Sequence, residues 1–65
     1  MTNDLENITK ATHSTGFLLD ELREVHKSDN AIISDVAYDL IAQAADVHKR
    51  LKRLLQAVQT QAEQG

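Results

Sequence analysis

The stretch ISDVAYDLIAQAADVHKRLKRLLQAV, residues 33–58, carries Ile33, Ala37, Leu40, Ala44, Val47, Leu51, Leu54 and Val58 at alternating steps of four and three. Apolar residues recurring every 3.5 positions on average keep to one side of an α-helix and form a coiled-coil heptad seam. Ala37, Ala44, Leu51 and Val58 take the a positions, and Ile33, Leu40, Val47 and Leu54 the d positions. Small residues alternate with large ones in the first half, which lets a neighbouring helix approach closely. Val36, Ile41 and Leu55 widen the stripe beyond what two strands need, so this helix is expected to bury more than one edge.

Upstream, Leu5, Ile8, Ala11, Thr12, Thr15, Leu18, Leu19, Leu22 and Val25 share one broad face at helical spacing, with His26 on its margin. Asn3 followed by Glu6 suits an N-cap with a reciprocal carboxylate. Ser28, Asp29 and Asn30 then form a turn, because their short side chains bond nearby backbone amides. The pattern predicts helix 1 over about 3–27, a turn over about 28–30 and helix 2 over about 31–62, its start at Asp29 or Asn30. Ser34 and Asp35 offer a second cap, which would leave Ile32 and Ile33 in a longer loop. The segment THSTGF, residues 12–17, has low helix propensity. No proline interrupts it and the apolar face keeps its phase, so one continuous helix, narrowed or bent there, is expected. Thr12–Gly16 should lie opposite roughly Ala42–Val47, small residues against small.

A short connection between two amphipathic helices makes an antiparallel hairpin. The fold class expected is therefore all-α, with residues 1–65 one helical-hairpin domain. The end of helix 2, AVQTQAEQG, should overhang and fray. A chain of 65 residues with no cysteine has neither disulfides nor thiolate zinc sites, and chains this small usually need a staple. Two broad apolar stripes cannot satisfy each other within one hairpin, so a homodimeric four-helix bundle is expected. Its dimer and core residues would be Ile8, Leu18, Leu22, Val25, Ile33, Ala37, Leu40, Ala44, Val47, Leu51, Leu54 and Val58.

A net charge of −3 argues against coating nucleic acid by bulk charge. No apolar run approaches a membrane span, and the opening MTNDLENITK lacks signal-peptide order. A start at Met1 and a short length fit a complete small reading frame, and a cytoplasmic location is expected. Charges segregate along the hairpin: Asp20, Glu21, Glu24, Asp29, Asp35 and Asp39 gather at the turn end, and His48, Lys49, Arg50, Lys52 and Arg53 toward the open end. This complements the second helix's dipole, with Asp46 spaced to pair with Arg50. It also offers a basic docking end for an acidic partner. The basic stretch VHKRLKRLLQAV has the look of a membrane-surface helix, but its apolar residues continue the heptad seam, so use in a core and no membrane contact are expected.

Phe17 and Tyr38 are the sole aromatics outside histidine, and neither falls on a seam. Phe17 points away from the apolar face of its helix, and Tyr38 toward the stripe of Ala45, Lys49, Lys52 and Gln56. Either they pack in the homodimer or stand exposed, or Phe17, flanked by His13 and Gly16, anchors another protein. Candidate partner-binding residues are Phe17, His13, Tyr38, Lys49, Lys52 and Arg53. His13, His26 and His48 share no i,i+3 or i,i+4 spacing, so neither a metal nor another cofactor is expected. With no nucleophile beside a base and no glycine-rich phosphate loop, no catalytic residue is assigned.

The length, the two-helix plan and the alternation of Ala37, Leu40, Ala44 and Val47 resemble those of the Rop-type RNA-binding hairpins, which dimerise into four-helix bundles. The resemblance implies an outward aromatic on the first helix that touches RNA, a place Phe17 fills. Asp20, Glu21 and Glu24 stand close by, however, where that family has neutral polar residues and lysines, and carboxylates repel phosphates. The function expected is a non-enzymatic protein-binding regulator or inhibitor, an accessory protein of the kind phages and plasmids encode, acting as a homodimer on a larger host protein. A nucleic-acid-binding hairpin using the basic cluster of helix 2 is the alternative.

Overall fold

The computed structural model describes residues 3–64, and side chains up to residue 61. It holds two helices, α1 (Asp4–His26) and α2 (Ala31–Gln64), packed against each other as a hairpin. The 34 residues of α2 set the long dimension of a rod measuring 51 × 16 × 14 Å.

Each end of the connection is closed by named side chains. The Lys27 N–H donates to the Glu24 carbonyl at 3.2 Å and the Ser28 N–H to the Val25 carbonyl at 3.0 Å, tightening the last turn of α1. Asn30 caps α2: its Oδ1 accepts from the N–H groups of Ile32 (2.9 Å) and Ile33 (3.2 Å). The Ser28 Oγ in turn accepts from the Asn30 N–H at 3.1 Å. The second cap at Ser34–Asp35 is thus not used, and Ile32 and Ile33 lie within the helix. Ser34 instead ties the two helices together, its hydroxyl donating to the His26 carbonyl at 3.0 Å while His26 Nδ1 lies 3.0 Å from the Ser34 carbonyl. Asn3 stands before α1 and its carbonyl accepts from the Asn7 N–H at 2.9 Å, yet its side chain caps no backbone N–H; its amide donates to the Glu6 carboxylate. The reciprocal cap expected there reduces to a bond between two side chains.

α1 runs unbroken through Thr12–Gly16. Its threonine hydroxyls turn back onto the helix, Thr12 to the Ile8 carbonyl (2.7 Å) and Thr15 to the Thr12 carbonyl (2.9 Å), so their polar atoms enter the interface already bonded. Thr12 and Leu19 from α1 and Ala37 and Ala44 from α2 are the buried residues among those described. The small a-position alanines permit the close approach, and Ala37 is only 1% exposed.

At the far end α2 is helical to Gln64, two residues beyond the expected end near 62, and Val58 is half-buried. Gly65 lies outside the described residues. No helix among the described residues is long and apolar enough to cross a membrane.

Candidate functional surfaces

The heptad seam divides between two surfaces. Of the a row, Ala37 and Ala44 are buried and Leu51 and Val58 half-buried. The d row is left open: Ile33, Leu40, Val47 and Leu54 are 45%, 42%, 49% and 48% exposed. Four large apolar side chains at seven-residue spacing thus show almost the same exposure along about 32 Å of helix. Leu18 and Val25 of α1 are exposed as well, and Leu22 is half-buried. Between the helices these rows border an apolar groove of about 310 Å³, lined by Thr15, Leu18, Leu22, Leu40, Gln43, Ala44 and Val47. Of the residues expected in the core or dimer, Ile8 is half-buried too, so six of the twelve remain exposed in one chain.

A second groove, of about 570 Å³, is lined by Thr12, His13, Gly16, Phe17, Leu19, Asp20, Arg23, His48 and Lys52. His48 reaches it across the interface, beside Gly16 of α1. A Cβ built on Gly16 would stand 3.5 Å from His48 Cε1, so the imidazole lies against the glycine. The expected pairing of small residues with small ones is therefore incomplete, since at this level a glycine accommodates a ring. His48 Nδ1 lies 2.7 Å from Thr15 Oγ1. Both of the Thr15 contacts are satisfied when its hydroxyl donates to the Thr12 carbonyl and accepts from the ring N–H.

The groove gathers three of the candidate partner-binding residues, Phe17, His13 and Lys52, and leaves three outside. Phe17 is 67% exposed. Tyr38, 68% exposed, stands near the turn with its ring 5.9 Å from that of His26, and α2 carries it about 21 Å along the helix from Lys52. Lys49 and Arg53 are exposed and do not line the groove. Asp46 pairs with Arg50 at 3.2 Å, the spacing anticipated for helix electrostatics. In the groove Asp20 is held by Arg23 at 3.1 Å. Lys49, Lys52 and Arg53 form no ion pair among the described residues. No group of three or more His, Cys, Asp or Glu side chains converges as a metal site among those residues.

The meeting of Thr15, Gly16 and His48 is set by the register between the two helices, which no local spacing in the sequence encodes. No family model matches this sequence, and comparison with curated proteins and with solved structures finds no match either.

Proposed function

We propose that this chain is a small non-enzymatic, protein-binding regulator or inhibitor that acts as a helical-hairpin homodimer and docks on a larger protein through the groove beside Phe17. The observation that carries the reading is Phe17 itself, an aromatic 67% exposed at the edge of a groove with His13 and Lys52 on its wall. An aromatic held outward on a rigid helix loses little conformational freedom on binding and has a large area to bury, which is why such residues anchor protein interfaces. Lys52 adds a cation with no ion-pair partner among the described residues, suited to a carboxylate on the protein bound there.

Lys49, Lys52 and Arg53, which form no ion pair among the described residues, also favour a second reading, binding to a nucleic-acid backbone. Against it stand Asp20, Glu21 and Glu24, one to two turns beyond Phe17 on the same helix. The two readings separate experimentally. Phe17→Ala should abolish capture of a defined partner protein while the mass of the free protein in solution is unchanged. RNA or DNA binding that weakens steeply with salt, and that survives Phe17→Ala, would overturn protein docking as the main function.

A further inference from the structure

We infer that the open d row of α2 is covered by a second copy of this chain, running antiparallel, so that the turn end of each hairpin lies beside the open end of the other. This deepens the homodimer in the reading above by fixing its face and its orientation, and it stands whether or not a larger protein is also bound.

Surface area is the first argument. The chain exposes 5190 Å². A compact monomer of its 7.2 kDa mass would expose about 4,100 Å². The excess, on the order of 1,000 Å², is close to the roughly 800 Å² that each partner contributes to a standard stable interface. Pairing two rods side by side along the groove removes surface where the apolar side chains are.

The placement of those side chains is the second. A two-fold axis crossing α2 near Gln43 and Ala44 sets Leu40 of one copy against Val47 of the other, and Ile33 against Leu54. The four exposed d residues therefore complement themselves, as a symmetric interface requires. Leu18 and Leu22 line the same groove from α1 and add to the buried layer. The four helices then form a bundle with the a rows inside each hairpin and the d rows between hairpins.

Charge selects the orientation. The turn end carries Asp20, Glu21, Glu24, Asp29, Asp35 and Asp39 against Arg23 and Lys27, whereas the open end of α2 carries Lys49, Arg50, Lys52 and Arg53. Antiparallel pairing sets the acidic turn end of each hairpin at the level of the basic open end of its neighbour. Parallel pairing would set six carboxylates beside six and the basic stretch beside its twin, an arrangement that like-charge repulsion opposes. A different protein on this face would have to repeat both the seven-residue apolar spacing and the reversed charge gradient, which a second copy supplies unaided.

The chain has no cysteine, so introduced thiols report without background. Ile33→Cys and Leu54→Cys variants, each oxidised alone and then as an equimolar mixture, test orientation directly. The mixed disulfide between positions 33 and 54 should form in the mixture, while each variant alone stays unlinked. Linking within each variant alone, and none in the mixture beyond it, would overturn the antiparallel arrangement. Sedimentation equilibrium should give twice the 7.2 kDa chain mass for the native protein and for a Tyr38→Lys control, and the single-chain mass for Leu40→Lys/Val47→Lys. A native protein sedimenting at the single-chain mass at high concentration would overturn the second copy and leave the d row to a different protein. Since Phe17→Ala does not touch this face, it should leave the disulfide pattern unchanged even if docking on a larger protein is lost.

Discussion

Gly16 lies where a helix would ordinarily prefer alanine, and its geometry says how much that choice costs. An added Cβ would meet His48 Cε1 at 3.5 Å, ordinary van der Waals contact, so Gly16→Ala needs no rearrangement. The substitution should raise stability by about 0.5–1 kcal/mol through helix propensity, read as a higher urea midpoint. A bulkier Gly16→Leu should instead displace the imidazole and destabilise the hairpin in the same assay. Thr15 contributes through its hydroxyl: Thr15→Val removes the partner of a half-buried His48 Nδ1 and should cost about 1 kcal/mol. Phe17 behaves differently because it is largely exposed. Phe17→Ala should shift stability by no more than about 0.5 kcal/mol while removing the proposed docking, which separates a binding role from a packing one.

The elements depend on a few positions that the sequence makes legible and on others that it hides. Asn30 caps α2 through two backbone N–H groups, so Asn30→Ala should destabilise by about 1 kcal/mol, seen as a lower midpoint with unchanged helical circular dichroism at low denaturant. Ala37 is the most buried residue of the described chain, and Ala37→Leu should force the helices apart at a cost of about 1–3 kcal/mol. Both roles could be read in advance, because capping chemistry and heptad spacing are local signals. The pattern favours a start at Asp29 or Asn30, and Ser34 remains an alternative there because it too has a capping side chain. The structure resolves the choice by giving Ser34 a partner eight residues back, the His26 carbonyl. The meeting of Thr15, Gly16 and His48 was hidden because a register between helices is long-range information. The division of the seam was hidden too. Periodicity shows that the a and d rows lie on one side of α2, but only the crossing of α1 decides which row is covered first.

Viewed whole, the molecule is a thin rod that leaves one complete row of its apolar pattern in water. Its two grooves are distinct in lining: the d-row groove is bordered by leucine and valine, the other by Phe17, two histidines, Lys52 and the Asp20–Arg23 pair. The proposed antiparallel dimer would cover the first and carry two copies of the second, so that a larger protein with two sites would be bound with the gain in avidity that two linked contacts give. The central claim, that the d row meets a second copy of itself in reverse, is tested most directly by isotope-filtered NMR on a mixture of labelled and unlabelled chains. The account predicts intermolecular contacts from Leu40 to Val47 and from Ile33 to Leu54. Intermolecular contacts that are absent, or that join Leu40 to Leu40 and Leu54 to Leu54, would contradict it.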